Sequence, residues 1–239
     1  MALYTVSTKG EMIRDNGSTS SFIRESGMYD VTIHNIMVDT SANGAVSVSL
    51  YLNYEGTDQV IYNAIRLTNN DGKPNFQNSV FNKLLICIGA SEGDVIGDPV
   101  EAVLPIGKDK QDKRVMVVPD IEDVDVTLRI VMEYGSYEGK ITEHKSVRNA
   151  FRSKDHATAS EIVNFNPKTS SAADLGKQYA IEADEKVCKK TVYKNGVTPE
   201  DVEAYKKQFT NSNTAKEEPK AKTFSAKKGS EEQMDDLPF

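Results

Sequence analysis

The sequence predicts a mainly β globular body with a few helices, followed by a disordered acidic tail. Three observations support this. Apolar and polar residues alternate in several runs between residues 29 and 146, a well-marked helical period interrupts them once, and periodicity is lost near residue 210. A two-residue period is typical of half-buried strands, and a 3.6-residue period is typical of helices. We therefore assign residues 1–209 to a folded domain and residues 210–239 to the tail.

The first three predicted strands form a meander at residues 29–38, 45–54 and 59–67. The second strand alternates strictly, which places Tyr51 on its polar face. In the third strand Tyr62 and Arg66 face outward. The first turn ends with Asn43-Gly44, a dipeptide typical of tight turns between strands.

A helix follows over residues 76–88, where apolar residues recur at helical spacing until Gly89 stops the pattern. Strand patterns then return at residues 100–105, 114–118, 124–134 and 137–146. We expect Gly135-Ser136 to join the last two strands. A final helix begins after Thr198, a plausible N-cap, with Pro199 at its first position. A further helix is predicted at about residues 172–188.

This order of elements matches the oligonucleotide-binding fold, a five-stranded Greek-key barrel. That barrel carries a helix between its third and fourth strands, as predicted here. The strands between residues 100 and 118 form an inserted hairpin in this interpretation. Several other small barrels fit the same order, so the order alone does not select this fold.

Composition and motifs argue against several classes of protein. The net charge of -7 does not suit a protein that coats nucleic acid by bulk charge, although a local basic groove is compatible with it. No long apolar run or secretory signal is visible, and Cys87 and Cys188 are expected to be free thiols in the cytoplasm. Three scattered histidines and no phosphate-loop or nucleophile-elbow motif predict no enzyme and no cofactor.

An acidic cluster runs from Asp120 to Asp125. Crowded carboxylates can bind a hard cation such as magnesium or calcium. The alternative is a solvated loop that leads into the next strand. We favour the loop and predict no metal site, because the spacing fits no calcium-binding loop.

The outward face of the meander suggests a surface for nucleic-acid bases. Tyr51 and Tyr62 lie on adjacent strands with Arg66 nearby, and exposed aromatic rings can stack on bases. Tyr134, Tyr137 and Lys140 add to this set at the last hairpin, where this fold typically contacts its ligand. The alternative is that these tyrosines are ordinary strand residues, or that the C-terminal segment covers their face.

Three basic runs stand out against the acidic background and can contact phosphates. The first contains Lys108, Lys110, Lys113 and Arg114; the second Lys140, Lys145, Arg148, Arg152 and Lys154; the third Lys186, Lys189, Lys190 and Lys194. From these we predict contacts to DNA by Lys110, Lys113, Arg114, Lys140 and Lys145. A solvated surface is the alternative for each run.

The tail contains seven Ala, Phe, Met or Leu residues among thirty, with five lysines and six carboxylates. Such a segment buries too little apolar surface to offset its ordering entropy. It ends with Asp235, Asp236, Leu237, Pro238 and Phe239. Carboxylates beside a terminal aromatic ring suit a partner pocket with an apolar floor and a basic rim.

The last six residues, Met-Asp-Asp-Leu-Pro-Phe, resemble the acidic tip of bacterial single-stranded DNA-binding proteins. That tip has several Asp residues followed by Ile-Pro-Phe, so this chain differs at Leu237 and has fewer Asp residues. The overall form is similar to phage-encoded single-stranded DNA-binding proteins, which pair a divergent barrel with a host-like tip. The resemblance implies replication, recombination and repair proteins as partners of the tip.

The sequence thus leads to three hypotheses. The first is a non-enzymatic phage protein in the cytoplasm of a bacterial host, which binds single-stranded DNA without sequence preference and recruits partners by its tip. The second is a β-rich scaffold that docks a partner through the tip and never binds nucleic acid. The third is a nucleic-acid-processing enzyme with an unrecognised site.

Overall fold

The computed structural model describes residues 21–106 and 110–214. The chain is mainly β, as predicted. The strands are β1 (Gly27–Thr40), β2 (Val46–Tyr54), β3 (Thr57–Arg66), β4 (Val100–Leu104), β5 (Lys113–Val117), β6 (Val124–Tyr137), β7 (Lys140–Arg152) and β8 (Val192–Tyr193). The helices are α1 (Asn78–Cys87), α2 (Ala159–Asn164), α3 (Lys177–Glu182), α4 (Glu185–Cys188) and α5 (Pro199–Thr214).

The chain divides into two compact units at the boundary between Thr198 and Pro199. The first unit holds the sheet, and the second begins with α5. This helix continues past residue 209, where the sequence places the start of the tail. The residues of the acidic tip lie outside the part that the structure describes. Among the described residues, no helix is long and apolar enough to cross a membrane.

All eight strands belong to one sheet, which is antiparallel except for the short parallel pairing of β8 with β6. The long strand β1 organises it. The first half of β1 pairs with β6, and its second half pairs with β2 and touches β5 at Met37. Strands β2 and β3 form one hairpin, and β6 and β7 form another. The inserted pair β4 and β5 extends from the second half of β1.

The sheet is not closed, because β3 and β7 lie side by side without a ladder of backbone hydrogen bonds. The side chain of Gln77 bridges this seam. Its carbonyl oxygen accepts a hydrogen bond from the backbone N–H of Arg66 on β3 at 3.0 Å. Its amide donates to the hydroxyl of Ser146 on β7 at 2.8 Å. A loop residue thus supplies part of the linkage that a strand ladder would otherwise provide.

Apolar residues from both hairpins meet in one core. The predicted alternation is confirmed in β2, where Val48, Leu50 and Leu52 are fully buried. Leu84 of α1 joins the same cluster, and the thiol of Cys87 donates to the carbonyl oxygen of Ala150 at 3.3 Å. The predicted helix therefore exists and packs against the sheet, and its buried cysteine is one of two free thiols.

The predicted turn at Gly135-Ser136 is wrong. Strand β6 continues to Tyr137, and the turn consists of Glu138 and Gly139. Both have positive φ angles, 48° for Glu138 and 74° for Gly139. A two-residue hairpin turn of this twist requires positive φ at both positions and accepts glycine readily. Gly135 instead lies within the ladder, opposite Thr142.

Residues 172–193, here called the covering segment, lie against β6 and β7. Their helical part packs on the outer side of these strands, and β8 at their end pairs with β6. Within the segment, Tyr179 stacks on His156 with ring centroids 4.1 Å apart and meets Phe151 edge-on. The predicted helix at about 172–188 is interrupted there into a 3-10 turn and two short α-helices. Gly176 is needed at one interruption because its φ is +74° and a Cβ atom would lie 2.8 Å from the carbonyl oxygen of Asp155.

A mostly buried ion pair anchors the covering segment to the sheet. Arg129 of β6 donates to the carboxylate of Glu182 at 2.9 Å and to the carbonyl oxygen of Val187 at 3.1 Å. Asn149 of β7 donates to the other carboxylate oxygen of Glu182 at 2.9 Å. Breaking a buried pair leaves one charge uncompensated, which is strongly destabilising.

We expect Glu182→Ala to lower the free energy of unfolding by about 3–5 kcal/mol, because Arg129 would keep its buried charge without a partner. Urea denaturation followed by circular dichroism measures the change. Glu185→Ala is the matched control, since its pair with Lys189 is exposed on the same segment. Equal stability of the two variants would show that the ion pair does not anchor the segment.

Candidate nucleic-acid interface

One groove of about 230 Å³ brings together four of the residues that the sequence selects. These are Tyr51 of β2, Tyr62 of β3, Lys110 and Lys145. We call it the aromatic groove; it is lined by Phe22, Tyr51, Asp58, Gln59, Val60, Tyr62, Pro105, Ile106, Lys110 and Lys145. Tyr51 lies opposite Val60 in the β2–β3 ladder, and both of its neighbours along β2 are buried in the core. The groove therefore lies on the face of this hairpin that points away from the core.

Two aromatic rings of the groove are accessible. The side chains of Tyr62 and Phe22 are 54% and 44% exposed, which leaves ring surface free for contact with a flat apolar ligand. Tyr51 is half-buried and packs against the imidazole of His34, with ring centroids 5.0 Å apart. Burial and the neighbouring carboxylate of Asp58 raise the pKa of Tyr51. Tyr51 therefore presents a neutral aromatic ring to the groove.

Asp58 is the acidic group of the groove and is surrounded by donors. Its carboxylate accepts a hydrogen bond from Asn53 at 2.6 Å, lies 3.3 Å from the ring of His34 and 3.6 Å from the ammonium group of Lys110. The hydrogen bond from Asn53 is the main reason that the pKa of Asp58 is lowered. Its negative charge is thus balanced locally by Lys110.

Lys145 is the second cation of the groove. Its side chain is half-buried, and this burial lowers the pKa of its ammonium group. The negative charge of Glu143 raises this pKa, and the positive charge of Arg24 lowers it further. A partly desolvated ammonium group gains more from an incoming phosphate than a fully hydrated one, because less water has to be displaced.

A second, larger groove of about 600 Å³ lies at the seam between β3 and β7, and we call it the polar groove. It is lined by Ser41, Asn43, Ala45, Ser47, Asn63, Arg66, Asn70, Asn75, Phe76, Gln77, Glu133, His144, Arg148 and Lys194. Arg66 belongs here and not to the aromatic groove. Its guanidinium donates to the carbonyl oxygen of Thr68 at 3.1 Å and to the side chain of Asn70 at 2.9 Å.

The floor of the polar groove contains the buried carboxylate of Glu133. It forms ion pairs with Arg148 and Lys194, one at each oxygen. Burial lowers the pKa of the adjacent His144, and the cations Lys194 and Arg148 act in the same direction while Glu133 opposes them. His144 is therefore neutral at neutral pH.

The structure does not bring the remaining predicted residues into either groove. Tyr134 is only 2% exposed, and its ring stacks on Tyr193 of β8, so it offers no surface to a base. Tyr137 is 68% exposed beside the turn that leads to Lys140, and neither residue lines a described groove. Lys113 and Arg114 lie on β5, where Arg114 pairs with Glu101 at 3.4 Å.

Several lining residues were not selected from the sequence. Phe22 precedes the first strand and has no periodic neighbour, and Pro105 with Ile106 follows β4 without any residue type that suggests a ligand. Arg148 and Lys194 belong to basic runs noted in the sequence. Nothing in the sequence indicates that these two cations share one carboxylate, because Glu133 is on a third segment.

The acidic cluster serves the fold in this structure. Asp123 lies 2.5 Å from the ring of His34, and Asp125 accepts a hydrogen bond from Thr32 at 2.7 Å. Within residues 21–106 and 110–214, no group of three His, Cys, Asp or Glu side chains is arranged to hold a metal ion.

No protein-family model matches the chain, and no curated protein is significantly similar to it.

The lowered pKa of Asp58 gives a testable dependence of stability on pH. Such a carboxyl adds stability that is fully present above its ordinary pKa of 3.8 and is lost as the pH falls through the lowered value. We therefore expect the unfolding free energy of the native protein to exceed that of Asp58→Asn at neutral pH and to converge with it below pH 3.8. Denaturation at a series of pH values measures this, with Asp98→Asn as an exposed control. A difference that is independent of pH would contradict the assignment.

Proposed function

We propose that this protein binds single-stranded DNA in the aromatic groove, without catalysis and with little sequence preference. The observation that carries the proposal is the grouping of Tyr51, Tyr62 and Phe22 with Lys110 and Lys145. Aromatic rings beside cations are the combination that single-strand-binding proteins use, because every base has a face for stacking and every nucleotide has a phosphate. Stacking tolerates any base, which explains the expected lack of sequence preference.

We further propose that the sheet is a divergent oligonucleotide-binding barrel. In support, the two halves of β1 pair with different hairpins, and α1 follows the third strand. Omitting the inserted strands β4 and β5, the order β3-β2-β1-β6-β7 is that of a five-stranded barrel with an open seam. Ligands of this fold lie on the face of the second and third strands, which is where the aromatic groove lies.

The exposure of the outer faces of the two hairpins, β2–β3 and β6–β7, also supports the proposal that DNA binds in the aromatic groove. The covering segment occupies the outer side of β6 and β7 through Tyr179 and Glu182. The outer face of β2 and β3 instead carries the groove with the exposed ring of Tyr62. Among the residues that the structure describes, a C-terminal segment therefore covers Tyr134 through Tyr193, while Tyr62 stays exposed.

We also propose that the tip, Asp235 to Phe239, recruits replication, recombination or repair proteins of a bacterial host. This proposal rests on the resemblance of the last six residues to bacterial single-stranded DNA-binding proteins. An acidic peptide that is part of the same chain has a high effective concentration near the cations of its own domain. The tip can therefore also compete with DNA for them.

Tyr62→Ala should weaken binding to an oligo-dT strand by about 5- to 150-fold, because a stacked base contributes about 1–3 kcal/mol. Fluorescence anisotropy of a labelled strand at low salt measures the affinity. Tyr62→Phe is the matched control, since it keeps the ring and should bind like the native protein.

The same assay with duplex competitors tests the mode of binding. We expect single strands to compete better than duplexes of equal length, since only unstacked bases reach the tyrosines. Equal competition by duplex, or unchanged binding by Tyr62→Ala, would overturn the proposed site. A native protein that binds no DNA at low salt would favour the scaffold hypothesis.

Deletion of residues 231–239 should leave the fold intact and DNA binding equal or tighter, because four carboxylates no longer compete for the cations. It should abolish capture of replication or repair proteins from a bacterial extract. Phe239→Ala should lose this capture while retaining native DNA affinity, because it removes the ring and keeps the charges. A truncated, folded protein that no longer binds DNA would show that the tip belongs to the DNA site.

A further inference from the structure

The polar groove has charged side chains to which the proposed function assigns no role. Three of its lining residues are cations, Arg66, Arg148 and Lys194, and one is a carboxylate, Glu133. Glu133 is shared by Arg148 and Lys194, whereas the guanidinium of Arg66 donates only to neutral oxygens in its described hydrogen bonds. The groove therefore carries an excess of positive charge in a chain whose net charge is -7. Such a groove suits an anion.

An accessible aromatic ring lies at the same place. Phe76 lines the polar groove and is 73% exposed, although phenylalanine is normally buried in a protein of this kind. The adjacent Gln77 is held at the seam by its bonds to Arg66 and Ser146, which fixes the chain beside the ring. The exposed ring thus has a defined position close to the cations.

The carboxamides of the groove can supply hydrogen-bond donors. The side-chain oxygen of Asn63 accepts from the hydroxyl of Ser47 at 2.6 Å, and that of Asn70 accepts from Arg66 at 2.9 Å. These bonds orient each amide and leave its nitrogen as the group that can donate. Amide donors match the carbonyl oxygens of bases and the oxygens of phosphates.

From these contacts we infer that the polar groove is a second nucleotide subsite, with a base stacked on Phe76 and a phosphate held by Arg66. The inference rests on the proposed function, because it extends the path of the same DNA strand. Both grooves border β3, which supplies Tyr62 to the first and Arg66 to the second. Tyr62 and Arg66 are four residues apart on β3, which corresponds to at most about 13 Å. A short single strand of DNA can therefore reach both sites.

Strand β7, on the other side of the seam, also borders both grooves. Strand β7 supplies Lys145 to the aromatic groove and Arg148 to the polar groove. A strand of DNA that follows the seam would therefore meet cations in both grooves. A mononucleotide or dinucleotide would fill one groove only.

Single tryptophans test the inference, since the native chain contains none. We would prepare Tyr62→Trp for the aromatic groove, Phe76→Trp for the polar groove and Val163→Trp as a control at an exposed position of α2. Each variant would be titrated with dT strands of about 2 and about 16 nucleotides, which bracket the usual site size. Stacking of a base on the indole quenches its fluorescence.

We expect the long strand to quench both groove variants with the same midpoint and to leave the control unchanged. A second measurement uses Phe76→Ala, which should weaken binding of the long strand by about 5- to 150-fold, the effect of one stacked base. It should weaken binding of the short strand by less, because the short strand fills one groove only and the aromatic groove is unchanged. Quenching of Tyr62→Trp without quenching of Phe76→Trp would overturn the second subsite alone. Absence of quenching in both, together with no binding by the native protein, would overturn the proposed function itself.

Discussion

The buried pair between Arg129 and Glu182 is the interaction on which the distribution of surfaces depends. It draws the covering segment onto β6 and β7, and Asn149 completes the contacts of the carboxylate. A guanidinium in this position is costly without its partner, so the segment and the sheet are energetically coupled. The covering segment lies against β6 and β7, whereas the outer face of β2 and β3 carries the exposed ring of Tyr62. Among the described residues, the rings of Phe76 and Tyr137 are exposed elsewhere.

The open seam between β3 and β7 is the second constraint. It leaves the sheet unclosed, and the polar groove lies in the space that a closed ladder would fill. A complete ladder between β3 and β7 would satisfy more backbone groups, yet it would also place two continuous strands where the polar groove now lies. Gln77 replaces part of this ladder with two side-chain hydrogen bonds. Ser146 is fully buried, so its bond to Gln77 also avoids the cost of an unpaired hydroxyl. The seam is thus held together by a residue that also lines the groove.

The sequence predicts the local structure well because local periodicity determines it. The alternation in β2 gives the buried face of Leu50 and Leu52 and the outward position of Tyr51, and the structure agrees. Other predictions fail where distant segments decide. Tyr134 has the pattern of a surface aromatic, but the parallel strand β8 brings Tyr193 against its ring. No periodicity within β6 contains that information.

The assignment of Arg66 shows the same limit at shorter range. Strict alternation from Tyr62 would place both side chains in one groove. Asn63 has a positive φ of 50°, and the ladder shifts register between Val48 and Leu50 at this point. The two residues line different grooves, one on each side of this bulge, and neither residue type predicts the bulge. Asn tolerates this conformation better than most residues, which is the one local indication of a bulge there.

The charges of the grooves bear on the proposed binding of a polyanion by an acidic protein. Most cations of the site have an acidic partner, as Lys110 has Asp58 and Lys194 has Glu133. These pairs hold the cations in place but reduce the free energy that a phosphate gains by joining them. In the proposed function, stacking on aromatic rings therefore has to supply a larger share of the binding free energy than in a strongly basic protein. A site of this kind discriminates by whether bases are unstacked, since duplexes offer phosphates but no free base faces.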